Sequence, residues 1–354
     1  MSKPLYGLKL IRPFPITKET TMKSKIGFFA LLPVALFSLI MSCEAPLSPF
    51  PSFKPINVDE NTIFLTSRWD DNCHKIIAFD TKTETAIYTY KFPESIICDF
   101  FYDKSFDESV YFLTVNGSIA RLNPLTGKVQ ELHFELSRVA ECFTYVNNEL
   151  WIAPCVPGFK DVPVTYAVYN AQTRKIRYET LPGGEMYLTK FAGHNGNNVY
   201  VSLLYSLGYS DIYNLTQKKF VDLSCFDKDY LYLDFYDPYL LGTFVVSENN
   251  GERERRDVDL FRYSVIDNVL NVEKVFSTGG FFSVNSLYQN DDFITLLTNK
   301  AIITFDKSGV EKDRVSIKTK DTDSARHGDN IYIIQAWTDK VYKYDMINLT
   351  CSLI

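Results

Sequence analysis

Seven times along this chain, a stretch of alternating apolar and polar residues runs into a turn opened by Asp or Asn and leaves it as a second alternating stretch. The clearest copy is Ile119-Ala120-Arg121-Leu122-Asn123-Pro124-Leu125-Thr126-Gly127-Lys128-Val129. Degenerate copies stand at Asp80-Thr81-Lys82-Thr83, Asn170-Ala171-Gln172-Thr173, Asn214-Leu215-Thr216-Gln217, Asp267-Asn268, Asp306-Lys307-Ser308-Gly309 and Asp345-Met346-Ile347-Asn348. Their mean spacing is roughly 44 residues, the period of small sheets repeated around an axis.

Within one period the alternation divides into four short strands. Ile97–Tyr102 and Ser109–Thr114 are the first two of the second repeat. Asn116-Gly117 makes a tight hairpin because both residues tolerate positive φ, and Ser118–Leu122 and Lys128–Phe134 follow. A single four-stranded sheet cannot bury two apolar faces, whereas sheets stacked face to face in a ring can, and closure leaves only short edges. The 27 Phe and 23 Tyr of the 354 residues suit the wedges between such sheets. The expectation is an all-β, seven-bladed β-propeller of four-stranded antiparallel blades over residues 59–354, with six or eight blades as the alternatives. Through Asp80-Thr81-Lys82-Thr83 and Asn123-Pro124-Leu125-Thr126-Gly127-Lys128 the pattern resembles bacterial β-propellers of the quinoprotein-like or seven-bladed surface-protein type. That resemblance implies a fold and does not fix a function. The regularly placed Trp and Gly of quinone-binding blades are absent, so no quinone cofactor is expected.

The first 42 residues read as an address. Met22-Lys23-Ser24-Lys25 precedes an apolar run from Ile26 to Met41, then Ser42-Cys43, the parts of a secretory signal helix. Leu39-Ile40-Met41-Ser42-Cys43 resembles a bacterial lipobox, which implies cleavage before Cys43, diacylglycerol on its sulfur and an acylated amino terminus. Met22 opens a complete signal, which makes it the expected start. Pro46, Pro49, Pro51 and Pro55 make 43–58 an extended tether. Membrane attachment through the lipid in a bacterial cell envelope is the expected location, since two or more acyl chains anchor stably. Beyond residue 42 the chain holds 31 basic against 42 acidic residues. That balance argues against nucleic acid, whose binding is built from clustered Lys and Arg.

Candidate chemistry falls in two places. Aligned first strands repeat a polar residue at Asp99, Glu141, Lys190, Asp234, Asn285 and Asp323, a ring of residues on the channel wall. Four carboxylates there could hold a hard cation such as calcium, although solvated lining is the blander reading; no other cofactor is implied. The loops between second and third strands open on one face with those linking blades. Blade one offers Arg68, Trp69 and Asp70, blade seven Trp337 and Asp339, blade three Phe159 and blade four Tyr209. Ser247 to Asp259 of blade five holds the run Glu252-Arg253-Glu254-Arg255-Arg256. Aromatic rings beside carboxylates suit capture of a protein, peptide or glycan, against packing at a blade junction or a solvated loop. The four histidines lack metal-ligand spacing and no nucleophile elbow or phosphate loop appears. Cys73, Cys98, Cys142, Cys155, Cys225 and Cys351 read mainly as buried thiols. The leading reading is a lipid-anchored binding scaffold; the other is an exported propeller lyase or hydrolase acting at the channel mouth.

Overall fold

The computed structural model describes residues 52–70, 73–92, 97–102, 108–114, 119–132, 134, 140–154, 165–181, 186–205, 210–248, 253–281, 284–317, 323–335 and 340–354. Their strands form seven antiparallel sheets in chain order, and each strand pairs with its neighbours in sequence. The sheets stack through seven separate apolar clusters, one at each junction. Leu297 and Ile302 of blade six meet Ile331, Ile333 and Tyr344 of blade seven. Ile63, Leu65, Ile77 and Phe79 of blade one meet Tyr332, Ile334 and Val341 of blade seven, which closes the ring. The chain is a seven-bladed β-propeller. Seven cores distribute the burial that a single core of this size does not supply.

The recurrent turn holds the chain reversal locally. Asp80 Oδ1 accepts the Lys82 N–H at 2.8 Å, Asn123 Oδ1 that of Thr126 at 3.0 Å, and Asn170 Oδ1 that of Thr173 at 2.9 Å. Asn214, Asp306 and Asp345 do the same. Residues Glu84, Gly127, Arg174, Lys218 and Leu349, each four after the Asx, take positive φ and bend the chain into its next strand. Blade five instead turns on two residues, Asp267 and Asn268, both at positive φ.

For blade one the described residues show three of the expected four strands. Its sheet has three, Thr62–Asp70, Cys73–Asp80 and Thr85–Phe92. A two-residue hairpin follows the first and the Asx turn follows the second. These are therefore the second, third and fourth strands of the repeat, and no first strand precedes them among the described residues. Among the described residues the seam between blades seven and one shows no exchanged strand, and the four strands of blade seven come from Asp323–Leu353. Side chains hold it instead: Asp323 Oδ2 accepts the Thr66 N–H at 2.7 Å and Lys343 Nζ reaches Glu84 at 2.6 Å.

The segment before blade one is docked rather than extended away from the body. Phe53 donates its N–H to Gly127 O at 2.8 Å and Ile56 to Pro124 O at 2.9 Å. The Phe53 ring meets Tyr90 and Phe92 edge-on at 5.2 and 5.1 Å, and Ile56 is buried. Residues 53–58, read from sequence as the end of the tether, thus belong to the body. Pro55 removes one donor, but the apolar Phe53, Ile56 and Val58 fill the junction of blades one and two.

Candidate functional site

Blades two to seven begin with the strands Ile97–Tyr102, Ala140–Val146, Met186–Asn195, Tyr232–Tyr236, Val284–Gln289 and Asp323–His327. Asp99, Glu141, Lys190, Asp234, Asn285 and Asp323 each lie on one of them. The described side chains show how the wall is tuned. Burial raises the Asp323 carboxyl to about 6, against the bonds it accepts from Thr66 and Ser324. Tyr288 is pushed up to about 12 by burial, while its hydroxyl, 2.7 Å from Ser324 Oγ, is partly relieved by that bond. Tyr236 is raised by burial first and then by the Asp234 carboxylate.

Two cavities open at the end of the ring where first strands turn into second strands. One, of about 480 Å³, is lined by Thr62–Phe64 of blade one, Phe100–Tyr102 of blade two and Asp323–His327 of blade seven. The other, of about 370 Å³, is lined by His194, Phe235, Tyr236, Asp237, Leu287, Tyr288, Gln289 and Arg326. Both volumes fall in the roughly 300–1,000 Å³ range of ligand pockets. Arg326 belongs to both. It is exposed, and its guanidinium donates only to carbonyls, to Gly328 O at 2.7 Å and to Gln289 O, with no carboxylate partner among the described residues. The Arg326 guanidinium, with the Asp323 and Asp237 carboxyls in the linings and aromatic walls around them, makes a mixed surface on which a ligand acceptor can meet the guanidinium. Of the expected channel ring, Asp323 lines the larger cavity; Arg326 carries no motif and was not anticipated.

The residues expected on the opposite, loop face are placed unevenly. Arg68, Trp69 and Asp70 are not loop residues: the strand continues to Asp70, with Arg68 opposite His74 and Asp70 opposite Cys73. A bulge between Arg68 and Asp70 absorbs the irregularity, so the hairpin needs only two residues. Trp337 and Asp339 lie outside the described residues, in a four-residue connection between the paired Gln335 and Lys340. Phe159, Tyr209 and Cys43 also lie outside them. The run in blade five is a correction too, because Arg253–Ile266 is one long strand paired to Tyr239–Glu248, with Ser247 opposite Glu254.

Sequence reasoning also missed a buried charge. Asp259, 1% exposed at its side chain, takes Lys228 Nζ at 2.5 Å and Lys274 Nζ at 2.9 Å. The Tyr230 and Ser277 hydroxyls donate to it at 2.7 and 2.6 Å. Burial by itself would raise its pKa, but these four donors hold it at about 2. The cluster pins the connection between blades four and five to the third and fourth strands of blade five. The third tryptophan, Trp151, is buried and stacked on Tyr166 at 5.9 Å, a junction residue. Cys225 and Cys351 are free thiols. Among the described residues no three His, Cys, Asp or Glu side chains converge on a metal position.

No family model and no curated protein matches the sequence. Solved structures match its architecture. The β-propeller domain of Cps50 (Swd1) from Myceliophteria thermophila aligns with a TM-score of 0.52 at 10% identity, over 84% of this chain and 99% of that one. The computationally designed Ika8 protein gives 0.48 at 12% identity over 84% of each chain. At such identities the likeness to the Cps50 domain concerns the fold alone.

Proposed function

We propose that the protein is an exported, lipid-anchored β-propeller that serves as a binding scaffold for a protein, peptide or glycan in the bacterial cell envelope. The observation that carries the binding reading is Arg326, paired with no described carboxylate, set between two aromatic-walled cavities at one mouth of the ring. A rigid closed scaffold holds such groups in place before a partner arrives, which lowers the ordering cost of binding. The anchor rests on the signal-like residues 22–42 and on Cys43. On the far face, the hairpins of the neighbouring blades one and seven would add a second surface through Arg68, Trp69, Asp70, Trp337 and Asp339.

Two measurements test this. Labelled palmitate should enter the wild-type chain and not Cys43→Ser; an unlabelled wild type removes the anchor. Peptide and glycan arrays probed with the mature chain should give ligands whose binding falls in Arg326→Gln. Equal binding by both proteins would remove the ring mouth from the proposal.

A further inference from the structure

Glu149 and Trp151 stand two apart on one strand of blade three and so face the same way, toward blade four. In register across the sheet, Val168 separates Trp151 from Arg177. The arginine reaches over that valine and sets its guanidinium 5.3 Å from the centre of the indole. Tyr166 stacks on the indole at 5.9 Å. The ring is thus held in place and 5% exposed, yet its Nε1–H meets no acceptor among the described residues. An indole nitrogen can only donate, and a buried donor left unmet is costly.

The same indole lines a cleft of about 150 Å³ at the junction of blades three and four. Charge is already balanced there. Arg177 binds Glu149 through both terminal nitrogens, with the Nη2 bond at 2.8 Å. Lys218 of blade four reaches Glu179 of blade three at 2.7 Å. Two cations against two carboxylates leave no net charge to draw an ion, and an ionic ligand would have to break one of these pairs. Neutral polar groups complete the opening: Asn147 donates to Asn197 Oδ1 across the two blades at 2.9 Å, and Thr216 Oγ1 to Asn197 O at 3.1 Å. The volume is half the roughly 300 Å³ at which whole-ligand pockets begin and equals about five waters. It suits one ring of a longer molecule.

We propose that this cleft seats one uncharged sugar residue of a glycan, with a hydroxyl oxygen accepting the Trp151 Nε1–H. Neighbouring hydroxyls of the same ring would donate to the Glu149 carboxylate and accept from the Lys218 ammonium, both charge-assisted bonds. A sugar hydroxyl donates and accepts at once, which a lining of paired cations and carboxylates requires. An apolar group would leave the indole donor unmet, and a carboxylate would face Glu149 and Glu179. The seat shares no residue with the cavities around Arg326, so it goes beyond the binding reading made for the ring mouth and stands apart from it.

The test uses the mature chain with isotope-labelled tryptophan and the methyl glycosides of glucose, galactose and N-acetylglucosamine, with glucuronate as the charged control. The Trp151 indole N–H signal in NMR spectra, assigned by its loss in Trp151→Phe, should shift saturably with at least one neutral glycoside and not with glucuronate. Trp151→Phe keeps a stacked ring and removes the donor. In ligand-observed NMR it should weaken that glycoside by about tenfold, the scale of one hydrogen bond. Lys218→Met, at a side chain 62% exposed, should weaken it as well without touching the core. Arg326→Gln should leave it unchanged. An indole signal that ignores all the neutral glycosides would mean that ordered water alone meets the donor, and would overturn the proposal. So would a preference for glucuronate, loss of binding in Arg326→Gln, or equal binding by a Trp151→Phe chain that melts as the wild type does. Should Trp151→Phe not fold, equal binding by Lys218→Met and wild type has the same force. If array ligands still depend on Arg326 after such a result, the cleft fails and the ring mouth stands.

Discussion

Asp323 of blade seven accepts the backbone N–H of Thr66 of blade one at 2.7 Å, across 257 residues of sequence. The bond spans the junction where blade seven meets blade one and the ring closes. It stands beside apolar packing from Ile63, Leu65, Tyr332 and Ile334. A side-chain carboxylate thus ties the backbone of blade one to blade seven.

That role has a cost that depends on pH. A carboxyl near 6 in the folded chain and near 4 unfolded binds more protons when folded. Its contribution is fully stabilising below about pH 4 and fades as pH rises through 6. Asp323→Asn keeps an acceptor for Thr66 and removes the titration. Urea midpoints at pH 5 and 7.5 should therefore differ less in the variant than in the wild type. Equal pH dependence in both would refute the assignment.

Asp259 has the opposite sign. Its folded pKa of about 2 lies below the unfolded value, so its stabilisation is present above about pH 4 and is lost as pH falls toward 2. Asp259→Ala leaves Lys228 and Lys274 facing each other without a counter-charge. Both ammonium groups keep a third to a half of their side chains exposed, so the loss should be about 1–3 kcal/mol, the scale of buried hydrogen-bonding groups left unmet. Chemical denaturation at pH 7 measures this; a loss below about 1 kcal/mol would mean water replaces the carboxylate.

Gly127 stands at φ +65 with its carbonyl bound to Phe53 N, and a Cβ there would lie 2.0 Å from Phe53 O. Gly127→Ala should cost on the order of 1–3 kcal/mol from backbone strain, with a further loss from the displaced segment. Limited proteolysis should then cut near Lys54 faster than in the wild type. An unchanged cleavage rate would show that the segment docks without this contact.

The closing junction offers a contrast between packing and charge. Leu65 is fully buried there, whereas Lys343 and Glu84 keep about a third of their side chains exposed. Leu65→Ala should cost about 2–5 kcal/mol, and Lys343→Met less than about 1 kcal/mol. Thermal melts of the two variants rank them, and a larger loss in Lys343→Met would make the seam electrostatic.

Much of the body was legible before any coordinates. Asn123 and Thr126, or Asp80 and Lys82, lie within one turn of each other, so their hydrogen bonds follow from adjacent residues and the repeat count follows from them. The charged run of blade five misled, because Arg253 to Arg256 carries a composition typical of loops while its partner strand, Tyr239–Glu248, holds it extended. Arg68-Trp69-Asp70 misled for the same reason: a bulge keeps them in the strand, and a bulge leaves no local mark.

The amino-acid order alone carried the strand alternation, the Asx turns and the count of seven, since each depends on residues a few positions apart. Only the folded ring decided that Phe53–Val58 rejoin the body and that Lys228 and Lys274 share Asp259. It also set Arg326 between two cavities. Those outcomes depend on which surfaces meet when seven sheets close a circle, and nothing local in the chain encodes that meeting.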